Sequence, residues 1–270
     1  MENKVLISVV TVSYNAVSTI EQTILSVINQ TYPHIEYIII DGGSTDGTVD
    51  VIKKYADRIA YWVSEPDKGI YDAMNKGIKK ATGEWINFMN SGDYFWNLTV
   101  ISKLFTCQRY NDKLVLYGNV IFDTDFGTFH AHPYPLNCMT KQSVIYHQAS
   151  FINLEYHKSH LFDLKYKIAG DYNFFFQLYK ERPELYQYID NDIAYYEAIS
   201  GISTKNQVLS YIERRHVQGS PPSYMRILFF RLKFSISSFI NRILPFPLYL
   251  RRNRRKLNTH FFKLIYDYKK

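Results

Sequence analysis

The strongest constraint on the fold is an alternation of two periods along residues 5–89. Val5–Val12 is an unbroken run rich in β-branched residues, the pattern of a strand buried on both faces. Ser18-Thr19-Ile20-Glu21 then has the form of a capping box, and Ile20, Ile24, Val27 and Ile28 follow at helical spacing. Ile35–Ile40 is a second strand. Thr48–Ala56 is a second helix, with Val49, Ile52 and Ala56 on one face. Ile59–Val63 is strand-like, Asp72–Ala81 helix-like and Glu84–Met89 strand-like again. Strands separated by helices of this length pair in parallel through crossovers, which predicts an α/β fold with a mostly parallel central sheet flanked by helices.

Beyond Phe95 the pattern loosens. Thr99–Arg109 reads as a helix, Leu114–Phe122 as a strand, Asp123–Pro135 as loop-rich and Gly170–Glu181 as a helix, so a mixed second half with antiparallel strands is expected. Gly219-Ser220-Pro221-Pro222 is a breaker cluster. It divides a domain over 1–218, with halves 1–95 and 96–218, from an extension over 223–270.

Charge separates the same two parts. From Tyr224 to Lys270 there are 12 Lys and Arg against one acid, Asp267, so this stretch carries +11 while the whole chain carries +7 and the body is mildly acidic. Arg226–Leu250 mixes Phe, Leu and Ile with Arg231, Lys233 and Arg242, and RRNRRK follows at 251–256. No uncharged stretch there is long enough for a membrane span. Basic residues interleaved with apolar ones predict a helical extension on an anionic membrane surface, with packing on the body under a solvated basic face as the alternative, and the apolar partners count against nucleic acid. The two cysteines, Cys107 and Cys138, have no metal-binding spacing, and MENKVLISVV lacks the apolar run of a secretory signal. A cytoplasmic protein, peripheral on the inner face of the membrane, is the expectation.

Ligands of open α/β sheets bind at the carboxyl ends of the strands. Ser13-Tyr14-Asn15 follows the first strand and Asp41-Gly42-Gly43-Ser44-Thr45-Asp46 the second. Ser64-Glu65-Pro66-Asp67-Lys68-Gly69 follows the third, and Asn90-Ser91-Gly92-Asp93 the fourth. Four polar, turn-forming ends on one rim predict a polar ligand with a ring and a charged part. Neither GxGxxG nor GxxxxGK[ST] occurs, which excludes the usual dinucleotide fingerprint and P-loop. Acids beside a diphosphate require a divalent cation between them, and oxygen ligands select Mg²⁺ or Mn²⁺.

ISVVTVSYNA (7–16), IIIDGGSTDGT (38–48), SEPDKGIYDAMNKGI (64–78) and ATGEWINFMNSGDYF (81–95) stand in order along the chain. Together they resemble the nucleotide-sugar half of family 2 glycosyltransferases of the GT-A fold, nearest the non-processive, colanic-acid-type bacterial members. The resemblance implies transfer of one sugar, with inversion, from a nucleotide sugar (UDP favoured, GDP possible) to a saccharide or lipid-linked acceptor in surface polysaccharide biosynthesis. It implies that Tyr14 and Asp41 meet the nucleoside, that Asn15, Asp67, Lys68, Asn75 and Ser91 bind the donor, and that Asp93 binds the metal. Asp171, in KIAGDYNFFFQL, matches the base that takes the acceptor proton, and His147-Gln148 matches an acceptor-side pair. Asn90, Gly92, Gly42 and Met74 depart from the family's usual Asp, Asp, Asp and Arg. QxxRW is absent after Asp171, so a processive synthase is not expected. Two rivals remain at this point. A sugar-phosphate nucleotidyltransferase would carry a Gly-rich basic loop where Ser13-Tyr14-Asn15-Ala16 stands, and a degenerate scaffold would bind nucleotide sugar without turnover.

Overall fold

The computed structural model describes residues 5–124, 127–196, 201–243 and 262–267. Strands β1 (Ile7–Ser13), β2 (Ile35–Asp41), β3 (Tyr61–Ser64) and β4 (Trp85–Phe88) are joined by helices α1 (Ile20–Ile28), α2 (Thr48–Lys54) and α3 (Ile70–Lys80). They pair in parallel in the order β4-β1-β2-β3, as the alternating periods predict. Seven consecutive residues of β1 are buried because helices cover both faces. Ile7 and Val9 pack with α1 on one side, while Val10 and Val12 pack with Met74 and Ile78 of α3 on the other.

The second half extends this sheet with strands of both senses. The two-residue β5 (Tyr94–Phe95) and α4 (Val100–Phe105) precede β6 (Val115–Thr124), β7 (Gly127–Ala131) and β8 (Ser150–Asn153). β8 lies antiparallel between β4 and β6, and β7 forms a hairpin with β6. α5 (Leu154–Ser159) and α6 (Gly170–Glu181) lead to β9 (Tyr186–Tyr196), which pairs with both β6 and β5. α7 (Ile202–Lys205), α8 (Gln207–Val217) and α9 (Tyr224–Ile243) follow, and β10 (Phe262–Asp267) returns to pair with β7.

Several boundaries differ from the expectations. The loop expected over 123–135 contains β7, where Gly127, Phe129 and Ala131 alternate inward. The capping box is not formed: the Thr19 hydroxyl donates back to the Ala16 carbonyl at 3.3 Å, and no side chain caps α1. The helical extension is α9, residues 244–261, RRNRRK included, lie outside the described residues, and the tail closes as a strand.

One buried group ties stability to pH. His157 of α5 is fully buried against the rings of Phe88, Phe162 and Phe174. Its Nδ1–H donates to the His160 carbonyl at 3.0 Å, and Nε2 has no partner. Burial favours the neutral ring and pulls its pKa from 6.5 down to about 4. The unfolded chain therefore binds this proton first, so stability is whole above pH 6.5 and declines as pH falls toward 4. The expected contribution is a loss of about 2 kcal/mol between pH 7 and 5. Urea unfolding at the two pH values checks it, and His157→Leu should lose less over the same interval by that amount.

Candidate functional site

Parallel register brings three polar strand ends side by side. Ser13 of β1 is the partner of Asp41 on β2, and Asp41 is the partner of Ser64 on β3. The Asp41 carboxylate is completely buried and accepts five hydrogen bonds. Oδ1 takes the hydroxyls of Ser13 (2.8 Å) and Ser44 (2.6 Å), while Oδ2 takes the Ser64 hydroxyl (2.7 Å) and the amides of Gly43 (3.1 Å) and Ser44 (2.8 Å). Burial alone would raise its pKa, but these donors outweigh it and hold the group below the ordinary carboxylate range. A carboxylate offers about four lone-pair directions, so none is left for a nucleoside. The expected role of Asp41 is corrected accordingly: it fixes the turn that builds the rim.

Several of the residues expected at the donor lie against that turn. Asn15 adopts φ +46, its amide donates to the Ser44 hydroxyl at 2.8 Å, and its side-chain oxygen accepts from the Thr45 amide at 3.0 Å. Tyr14 is two-thirds exposed. A Cβ at position 42 would stand 2.5 Å from the Asp67 carboxylate and 3.3 Å from the Tyr14 ring, so Gly42 leaves the space in which these two side chains meet. Asp67 also accepts from the Gly69 amide, and Lys68 is exposed next to it. Lys76 clamps this loop through Glu65 at 2.7 Å and the Pro66 carbonyl at 3.1 Å. Asn75 is not brought to the rim. Its amide spends both ends on the Phe162 backbone, at 2.9 Å each, and its role is corrected to joining α3 to the segment before α6.

A second group lies at the end of β4. Because β8 runs antiparallel to β4, the turn His147–Ala149 that precedes β8 stands beside residues 90–93. The Ser91 amide donates to Val12 at the end of β1, and the Thr23 hydroxyl fixes the turn by bonding to Gly92 and Asp93. Asp93 is buried, and its Oδ2 accepts from Gln148 at 3.3 Å. His147 reaches the other way: Nδ1 lies 3.2 Å from Asp171 Oδ2, and Nε2 lies 3.0 Å from the Asn90 amide nitrogen. Asp171 sits in the first turn of α6, where it caps nothing beyond its neighbour, the Tyr172 amide at 2.8 Å. Its Oδ1 also accepts from the Tyr71 hydroxyl at 2.9 Å. Tyr71 can come this close because residue 170 is glycine; a Cβ there would be 2.8 Å from the Tyr71 ring.

Burial pushes the Asp171 pKa up, but the hydrogen bond and charge of His147 with the two other donors overcome it, and the net shift is downward. For His147 burial pulls down, and the Asp171 bond and the charges of Asp171 and Asp93 reverse it, so the net shift is upward. Tyr71 stays a neutral donor, since burial and the Asp171 charge push its pKa well above the ordinary value.

Two parts of the site had no forecast from the sequence. Tyr71 lies inside the quoted 64–78 motif without a chemical signature of its own. Glu213 of α8 reaches back 44–46 residues, and its buried carboxylate accepts the amides of Lys167, Ile168 and Ala169 at 2.8–2.9 Å, immediately before Asp171. Local patterning carries no trace of such a contact.

With this geometry in view, the profile of Glycosyl transferase family 2 matches residues 8–182, more than half of the chain. The chain belongs to glycosyl transferase family 2. An uncharacterized glycosyltransferase of Mycobacterium tuberculosis is 34% identical over 174 residues, covering 62% of this chain and 66% of its own length, just under two thirds. A PGL/p-HBAD biosynthesis glycosyltransferase of Mycobacterium bovis is 27% identical over 210 residues, 73% of this chain and 79% of that one. The fold is similar to that of S. aureus TarS 1–349 in complex with UDP-GlcNAc, with a TM-score of 0.61, 17% identity, and coverage of 91% and 79%. It is also similar to a mannosyltransferase from Pyrobaculum calidifontis in complex with GDP-Man and Mn²⁺, with a TM-score of 0.60, 14% identity, and coverage of 95% and 81%. The GT-A-like architecture expected from the sequence is that of these neighbours.

Three outcomes follow for this site. The His147 ring should titrate above 6.5, and its midpoint should fall in Asp171→Asn, as read by histidine NMR. The stabilisation that the pair gives is present above the ordinary carboxylate value and below the ordinary histidine value. It fades as pH falls through the lowered Asp171 pKa or rises through the raised His147 pKa. Glu213→Ala should cost about 2 kcal/mol in urea unfolding, because the buried Ala169 amide and the part-buried amides of Lys167 and Ile168 lose their acceptor.

Proposed function

We propose that the chain moves one sugar from a nucleoside-diphosphate sugar, UDP before GDP, to a saccharide or lipid-linked acceptor. The observation that carries this reading is the pair His147-Gln148. Successive side chains reach Asp171 and Asp93, two acids 78 positions apart in the sequence. One acid suits the leaving-group end of a displacement and the other the attacking end, and one dipeptide holds both at 3.2–3.3 Å from its own polar atoms. Among the described residues Asp171 Oδ2 accepts from His147 alone, which keeps a lone pair for an acceptor hydroxyl. As that hydroxyl oxygen bonds to the anomeric carbon, Asp171 takes its proton and the bond to the nucleoside diphosphate breaks, which inverts the centre. Tyr71 and His147 hold the carboxylate in place while it does so.

The residues fit a divalent cation. Asn90 Oδ1 is buried without a hydrogen-bond partner among the described residues, and the Asp93 amide donates to the Asn90 carbonyl at 2.9 Å, so one turn carries a hard side-chain oxygen and a carboxylate. Among the described residues no group of three or more His, Cys, Asp and Glu could hold an ion, so the fit is to one that draws most of its ligands from diphosphate and water. Such an ion would offset the charge that develops on the departing diphosphate. Tyr14, Asn15, Asp67, Lys68 and Ser91 are the proposed donor contacts. The PGL/p-HBAD name of one relative supports a glycoconjugate product, and bacterial surface polysaccharide is the class proposed here.

Calorimetric titration with UDP and with GDP, each with and without Mn²⁺, tests the donor half. One nucleotide should bind with metal dependence, and Asp93→Ala should lose that dependence. Tight binding indifferent to metal would remove Asp93 from its role. Release of UDP from UDP-GlcNAc tests the chemistry: Asp171→Asn should lower the rate about a hundredfold or more with nucleotide affinity unchanged. Binding with no turnover in the wild type would favour a non-catalytic scaffold.

A further inference from the structure

The least accounted-for surface is α9. Among the described residues this helix packs on α8, where Phe230 stacks on Tyr211 at 4.3 Å and Ile227 is half-buried. Away from that contact Met225, Leu228, Phe229, Leu232, Ile236 and Phe239 recur at helical spacing, with Met225 and Phe229 at the edge of the groove beside Tyr211, each between 39% and 70% exposed. That spacing aligns them in one stripe along the helix. Arg226 and Lys233 border the stripe on one edge and Arg231 on the other, all exposed. α9 contains no acidic residue.

We infer that this face docks on an anionic lipid bilayer, with the stripe sunk to the acyl boundary and the bordering cations at the headgroups. The charge pattern selects the occupant. A second copy of the helix would match the three-four spacing, yet it would set Arg and Lys against Arg and Lys with no acid to offset them. An anionic bilayer supplies an apolar layer and a negative rim in the geometry that the helix presents, and the long basic side chains reach outward from the stripe to that rim. Among the described residues no helix is long and apolar enough to cross a membrane, so the geometry is one of lying in the interface. The sequence after the helix adds RRNRRK, charge of the same sign. α8 links this face to the site, since Glu213 on the same helix as Tyr211 holds the segment before Asp171. Docking thus goes beyond sugar transfer; a lipid-linked acceptor at the same surface would rest on that reading.

Flotation of the full chain with phosphatidylcholine vesicles, with and without phosphatidylglycerol, tests the inference. The protein should float with anionic vesicles only and be released by salt. Leu232→Asp with Ile236→Asp should lower the partition about tenfold or more, because two apolar anchors are replaced by charges that the headgroups repel. UDP or GDP binding by the same variant reports that the body remains folded, and keeps a failure of docking distinct from a failure of the donor site. No flotation with anionic vesicles would overturn the inference. So would wild-type flotation of the double variant, which would leave the basic sequence alone as the binder. A concentration-dependent dimer that the double variant abolishes would assign the stripe to a second copy instead.

Discussion

A fully buried carboxylate with five donors is the constraint on which the rim depends. Taking Asp41 out of water would ordinarily neutralise it or unfold its surroundings. Here the cost is met by hydroxyls from both neighbouring strands and by the turn that follows its own strand. The same bonds fix where that turn goes. Without them the turn from Gly42 to Thr48 would have no reason to fold over the ends of β1 and β3, and Tyr14, Asn15 and Asp67 would not converge. A residue that bears on the ligand only through others can therefore be the most constrained one in the site.

The second constraint is a reversal of strand direction. Four parallel strands alone would give a rim of loops with acids from β2, β3 and β4 and nothing opposite them. Inserting β8 antiparallel beside β4 carries residues 147–148 to the end of β4, and α6 then brings Asp171 against them. Gly170 and Tyr71 complete this contact, since the close approach of ring to backbone needs the missing side chain. The two ends of the site thus meet through a few buried polar contacts, presented by elements that a shared sheet and the aromatic and aliphatic core on both its sides hold together.

Much of this was legible in the chain itself. The parallel half was readable because each strand and helix carries its own period: Val5–Val12 can only be a two-sided buried strand, and Ile20, Ile24 and Val27 only a helix face. Motif order singled out Asp93 and Asp171, and the fold brings both against His147-Gln148. What was hidden is non-local. The hydrogen bonds of Asp41 and Asn75 depend on which strands and segments become neighbours, so both residues looked like ligand contacts when they are braces. β7 was hidden because GTFHA is short and opens with glycine, and it becomes a strand only against β6. Glu213 could not be read at all, for its partners are backbone amides that any sequence would supply.

The return of β10 to the sheet bears on how the chain can be divided. The breaker cluster at 219–222 invites a cut between body and extension, but β10 occupies the free side of β7 with antiparallel pairing from Phe262 to Asp267. A fragment ending at residue 218 would bare the amides and carbonyls of Gly127–Ala131 as an open strand edge. Such an edge recruits other strands, so clumping of that fragment would be an artefact of the cut. The sequence boundary and the folding boundary of this protein are therefore different places.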